Sequence, residues 1–146
     1  AVGEVTYVGF GMADLSCYVP FYQGLKAVPK NYGMGTDKAD SQSAYWKYRK
    51  LQTLVMTDYQ KLAPVVKTAY RDFEAKTAEA QKTMEAKYLK TVKTNPKAAD
   101  KLLNDFNIKV LKDAEALTEN LTNELFTIRT TDIQKDIFFA NRKKKD

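Results

Sequence analysis

Cys17 is the one side chain in this sequence that could serve as a strong covalent nucleophile, and nothing around it helps it to do so. A thiol attacks as its thiolate, which needs a neighbouring base or a cationic setting, and the chain has no histidine at all. Cys17 therefore reads as a packed or pocket-lining thiol. One cysteine without histidine also leaves no usual zinc ligand set, so neither a metal nor a cofactor is expected. Asp14, three residues earlier, can act as a loop ligand or simply serve turn chemistry. Asp132 and Asp136 stand one helical turn apart, but Arg129 and Lys135 beside them make the group a solvated helical face. Asn120-Leu121-Thr122 has the form of a glycosylation acceptor, yet it falls inside a helical pattern and no secretory pattern accompanies it. The cluster Tyr45, Trp46 and Tyr48 reads as core.

The elements that must position these residues divide the chain unevenly. All six glycines fall before residue 36, and the stretch from Tyr7 to Gly24 holds five aromatics and the only cysteine. Val5 to Phe10, rich in β-branched and aromatic residues, predicts a strand. Its backbone groups need partners, and with no comparable run downstream those partners are expected on another chain or on a part of the protein outside this sequence. A loop of roughly thirty residues should follow, through Pro20, Pro29 and Asn31-Tyr32-Gly33; a loop that long is usually functional or packed. Tyr18, Phe21, Tyr22 and Tyr32 favour packing, because aromatics at this density need a surface to cover.

Helix is expected from Asp40 onward, with Ser41 or Ser43 as cap. Tyr45, Tyr48, Leu51, Val55, Tyr59 and Leu62 give one apolar stripe, widened by Trp46 and Leu54. Pro64 should either start a new helix or kink a long one. The stripe resumes through Val66, Tyr70, Phe73, Thr77, Ala80, Met84 and Tyr88. Asn95-Pro96 predicts a turn with a capped restart, and Ala99, Leu103, Phe106, Val110, Ala114, Leu117, Leu121, Leu125 and Ile128 return along it. A second cap at Thr131 with Gln134 would begin a short last helix carrying Ile133, Ile137 and Phe138. The expected fold is mostly α: a long antiparallel helical hairpin or small bundle, with an N-terminal strand and aromatic loop over 1–40, helices over 41–141 and a basic tail over 142–146.

Of 146 residues 44% are hydrophobic and 29% charged, as in soluble globular proteins. No apolar run nears the roughly 18 residues of a membrane span, so no membrane partner is expected. A lone cysteine leans toward a reducing compartment, hence a cytoplasmic location. The net charge of +6 comes from residues 41–92 and from the tail Arg142-Lys143-Lys144-Lys145. In the former the lysines alternate with acids such as Asp72, Glu74, Glu79 and Glu85, the habit of a solvated face, and the tail reads as a frayed terminus. No nucleic-acid partner is expected.

Gly11-Met12-Ala13, Ser16, Tyr18-Val19-Pro20-Phe21-Tyr22 and Gly24, followed by Ser43-Ala44-Tyr45-Trp46 and Lys50-Leu51, resemble the C-terminal part of bacterial dipeptidases of the dipeptidase A type. These are cysteine peptidases of the N-terminal-nucleophile hydrolase superfamily. The resemblance is strongest over residues 7–24, while the later helices agree in character only. It implies an αββα sandwich that the strand and loop would complete, and a nucleophile that is the first residue of the processed chain with its own α-amino group as base. Ala1 has no nucleophilic side chain and Cys17 is internal, so no catalytic residue carries over, and the chain is expected to be a C-terminal fragment inactive alone. Its implied partners are the N-terminal catalytic part of the same protein, a dipeptide substrate and a homo-oligomer contact. Asp14, Ser16, Tyr18 and Tyr22 are the expected pocket contributors, because a glycine-loosened loop can approach a substrate closely. The alternative reading is an independent helical-hairpin module that binds a protein partner or an acidic surface.

Overall fold

The computed structural model describes residues 2–143. Strand β1 (Val5–Val8) is followed by β2 (Val19–Tyr22), then by helices α1 (Ala44–Val55), α2 (Tyr59–Thr91) and α3 (Pro96–Lys143). Mostly helical architecture with a small antiparallel sheet at the N-terminal end agrees with the sequence reading.

The strand does find its partner within the chain. β1 pairs with β2 antiparallel, Val5 opposite Tyr22 and Val8 opposite Val19, so the expectation of an external partner for this pairing is corrected. The sequence concealed β2 because Pro20 breaks its pattern, and proline is tolerated in strands only where its missing donor is not needed. Gln23 N–H donates to the Glu4 carbonyl at 3.0 Å; bonded and non-bonded pairs alternate along the ladder, which puts Pro20 opposite Tyr7 at a non-bonded pair. The remaining connection is not a bare loop either, since short 3-10 turns form at Ala13–Leu15 and Lys30–Gly33.

Alternation along β2 divides its side chains between two clusters. Val19 joins the main core, with Phe21 packed against it. Tyr22 joins Met84 and Leu103 in a second cluster that Val5 and Val2 cover. The main core draws Leu15, Cys17 and Val19 from the N-terminal segment, Leu51 and Val55 from α1, Leu62, Val66 and Tyr70 from α2, and Leu111, Ala114, Leu121 and Leu125 from α3. The segment before α1 is thus a packed part of the helical core.

α3 is the long wall against which both α1 and α2 pack. The turn before it forms as expected: Asn95 Oδ1 accepts from Ala98 N–H at 3.0 Å and Pro96 opens the helix. Four other expectations are corrected. Of the two expectations for Pro64, the new helix is the one corrected: the break before α2 falls at Thr57 and Asp58, and Pro64 lies inside the helix, where only the Gln60 carbonyl loses a donor. No helix starts at Thr131; α3 runs unbroken, and the Thr131 hydroxyl donates to the Thr127 carbonyl at 3.0 Å instead of capping. Ser43 sits at the α1 cap position but donates to the Met34 carbonyl, while Asp40 Oδ1 takes the N–H groups of Gln42 and Ser43. Arg142 and Lys143 belong to α3; residues 144–146 of the basic tail lie outside the described residues.

Of the expected aromatic core cluster only Tyr48 is buried. It stacks on Phe10 with ring centroids 5.1 Å apart, and its hydroxyl meets that of Tyr32 at 3.0 Å. Tyr32 in turn donates to the Leu111 carbonyl at 2.7 Å, which leaves Tyr48 as donor to Tyr32. Tyr45 is exposed, and Trp46 is half-buried, its indole N–H serving Thr36.

Candidate functional site

The loop between the strands is shaped by two close approaches. Gly11 adopts φ +88°, a left-handed conformation that favours glycine. A side chain at Gly9 would come within 2.7 Å of Ser16 Cβ. Gln52 of α1 closes the loop from below: its Nε2 donates to the Phe10 carbonyl at 2.7 Å and its Oε1 accepts from Met12 N–H at 3.1 Å. Held in this way, the 3-10 turn at Ala13–Leu15 faces α2 across an open cavity of about 240 Å³.

Ala13, Asp14, Ser16 and Tyr18 line this cavity on the loop side, and Lys67, Tyr70, Arg71 and Glu74 on the α2 side. Lys67 Nζ lies 2.7 Å from Asp14 Oδ1, and Asp14 also accepts from the Tyr59 hydroxyl. Those two hydrogen bonds, the lysine's first, hold the Asp14 carboxyl below its ordinary range, and Lys67 is raised by its own hydrogen bonds to Asp14 and then to the Tyr59 hydroxyl. Glu74 Oε1 accepts from Tyr18 N–H at 2.7 Å. The Tyr18 ring stays partly open to solvent. Arg71 reaches Asp72 at only 3.5 Å and is largely exposed. Carboxylates and cations thus face the same small space.

Three of the four expected pocket residues meet here, each in a distinct state. Asp14 is exposed and ion-paired. Ser16 is buried, and its hydroxyl is within reach of the Met12 carbonyl at 2.7 Å and the Phe10 carbonyl at 3.1 Å, so it fastens the turn. Tyr18 forms one wall. The fourth, Tyr22, lies elsewhere: it is 2% exposed and its hydroxyl donates to Glu85 Oε1 at 2.6 Å. Burial first, then that carboxylate, raises its pKa. Glu85 also accepts from Gln81 Nε2, whose Oε1 accepts from Tyr7, so Tyr22 belongs to a polar network joining the sheet to α2.

Cys17 is fully buried, and loss of hydration, with a lesser push from Glu74, raises its thiol to about 12. It is a core side chain, without the exposed, electropositive setting that a nucleophile requires. Among the described residues no three His, Cys, Asp or Glu side chains gather in a way that could hold a metal ion.

Residues 1–72 match the family model of Peptidase family C69. Over those residues, just under half of the chain, it is similar to that peptidase family. No curated protein and no solved structure matches the chain significantly. The C69 segment spans both strands, the loop, α1 and the first part of α2. It therefore includes every residue lining the cavity except Glu74.

The α2 contributors were missed from sequence. Lys67, Tyr70, Arg71 and Glu74 follow an i, i+3, i+4, i+7 spacing and so share one helical face. The signal was present, but alternating charge on a helix most often means water, and nothing local showed that a loop from residues 13–18 would lie opposite.

Proposed function

We propose that this chain is a non-catalytic region of a dipeptidase, a cysteine peptidase that hydrolyses dipeptide amide bonds with the nucleophile supplied by another part of the enzyme. The observation that carries this reading is the state of Cys17 inside a peptidase-family segment: the single thiol is buried and holds its proton to about 12. The nucleophile in this reading is an N-terminal cysteine, with its own α-amino group as base.

A dipeptide is a zwitterion, and the cavity between the loop and α2 has groups for both ends. Arg71 and Lys67 would take the carboxylate, Glu74 the ammonium, and Tyr18 would lie along the peptide. The remainder of the chain would support the catalytic part and provide an oligomer contact. An independent hairpin module is less well supported, because the helices share their core with Leu15, Cys17 and Val19 of the N-terminal segment.

Two measurements test the reading. The isolated chain should release no amino acid from dipeptides, and in the complete peptidase Tyr18→Ala and Arg71→Ala should raise KM several-fold with kcat nearly unchanged. Tyr22→Phe should leave both constants alone. Dipeptide cleavage by the chain that disappears in Cys17→Ser would overturn the assignment of the nucleophile. Unaltered KM in both pocket variants would remove the cavity from substrate binding.

A further inference from the structure

The far end of α3 projects beyond the rest of the fold. Arg129 Nε donates to Thr57 Oγ1 at 3.0 Å and Asp132 meets Lys61 Nζ at 2.6 Å. From Ile133 to Arg142 every side chain is exposed. This end of the helix carries large apolar groups into solvent: Phe126, Ile133, Ile137, Phe138 and Phe139 are each about half exposed or more.

Their placement around the helix is ordered. At about 100° per residue, Phe126, Thr127, Thr130, Thr131, Ile133, Gln134, Ile137, Phe138, Ala140 and Asn141 occupy one continuous arc of roughly 180°. Among the described residues from 126 onward, no charged residue falls in that arc. The first charges met on its two borders are Arg129 and Arg142; Asp136 lies about 20° beyond Arg129, and Asp132 lies on the far side. The Arg142 guanidinium stands over the Phe138 ring at 4.8 Å, joining cation to apolar face. Lys143, Lys144 and Lys145 follow directly in the sequence.

We propose that this end of α3 lies flat on an anionic phospholipid surface. Phe126, Ile133, Ile137 and Phe138 enter the boundary between headgroups and acyl chains, and Arg129 and Arg142 meet the phosphates. This is the charge and apolar arrangement of an interfacial helix. Among the described residues no helix is long and apolar enough to cross a membrane, so the association is one of lying on the surface, which the expectation of no membrane partner did not consider. Charge argues against a second copy as occupant. From Phe126 to the end the chain carries six cations against three anions, and two such segments repel. The charge-free arc is also wider than the narrow seam of a two-helix coiled coil.

The test is cosedimentation of the full chain with vesicles of phosphatidylglycerol and phosphatidylcholine in roughly a 3:7 ratio. Binding should be at least about tenfold weaker to vesicles of phosphatidylcholine alone and should weaken with added salt. Ile137→Gln with Phe138→Gln should also cost about tenfold while circular dichroism stays unchanged, because both side chains are already exposed. Absence of sedimentation with the anionic vesicles would overturn the proposal, and so would equal binding by the double variant. Sedimentation velocity would assign the face to self-association instead if the chain dimerised, the double variant did not, and neither bound vesicles.

Discussion

The carboxamide of Gln52 occupies the space that a side chain at Gly11 would need. Gly11 has φ +88°, and a β-carbon there would come within 2.7 Å of Gln52 Nε2 and nearer still to its oxygen. The same carboxamide holds the Phe10 carbonyl and Met12 N–H on either side of the glycine. One buried polar group of α1 thus fixes the turn that places Asp14 and Ser16 at the cavity.

Gly11→Ala should therefore destabilise the protein by about 2–4 kcal/mol, combining a left-handed backbone with a steric overlap. Urea unfolding of Gly11→Ala, Gln52→Ala and the double variant separates the two causes. In the Gln52→Ala background the overlap is gone, so the alanine at position 11 should cost only the backbone strain, about 1–2 kcal/mol. Strict additivity of the two single variants would mean that the residues do not compete for this space.

Asn107 supplies a prediction of opposite sign. It is fully buried on α3, and neither its Oδ1 nor its Nδ2 has a hydrogen-bond partner among the described residues. An amide desolvated without a partner costs about 1–3 kcal/mol. Asn107→Leu, similar in volume and apolar, should raise the unfolding free energy by about 1–2 kcal/mol in urea. A drop in stability would show that the amide is satisfied within the core.

How much of this was legible beforehand follows from the range over which each feature is determined. The turn at Asn95-Pro96 is local, a cap and a donorless first residue, and it was readable directly. The stripe of α3 was readable through Leu103, Ala114 and Leu125, but Asn107 and Thr118 were not, because polar types at core positions look like surface. Thr118 is buried by virtue of a hydrogen bond to Tyr70 at 2.8 Å, a contact 48 residues away in the chain. β2 was hidden by Pro20 for a similar reason: the residue is acceptable only in the register set by β1. Asp14, Ser16 and Tyr18 could be grouped because they share one glycine-loosened loop, whereas Lys67, Arg71 and Glu74 joined them only once α2 was placed.

Pro64 tests how far the interruption in α2 matters. It is exposed and the sixth residue of the helix, so replacing it sacrifices little packing. Pro64→Ala supplies the missing donor to the Gln60 carbonyl and removes the steric clash of the ring. Against that gain stands the greater freedom of an unfolded chain without the proline, about 0.4–1 kcal/mol. The net expectation is a gain of about 1–2 kcal/mol, read as a higher Tm. An unchanged or lower Tm would mean that α2 is built around the proline.

Cys17 gives the pH dependence its sign. Its thiol is raised from 9.0 to about 12 by burial, so between those values the folded state keeps a proton that the unfolded state releases. Unfolding is then favoured by rising pH: the stabilisation is complete below about pH 9 and drains away toward about pH 12, at up to about 1.4 kcal/mol per pH unit. Tyr32, Tyr48 and Tyr70, raised likewise by burial from 10.0, add to the slope at higher pH. The thiol is therefore read most cleanly between about pH 9 and 10. Cys17→Ala should lower stability below about pH 9 through lost packing, and the deficit should shrink between about pH 9 and 10, because the variant lacks the thiol whose titration lowers the wild-type curve. Parallel curves for the two proteins would show that the thiol ionises in the folded state, and slow alkylation of wild type at pH 8 would then fail as well.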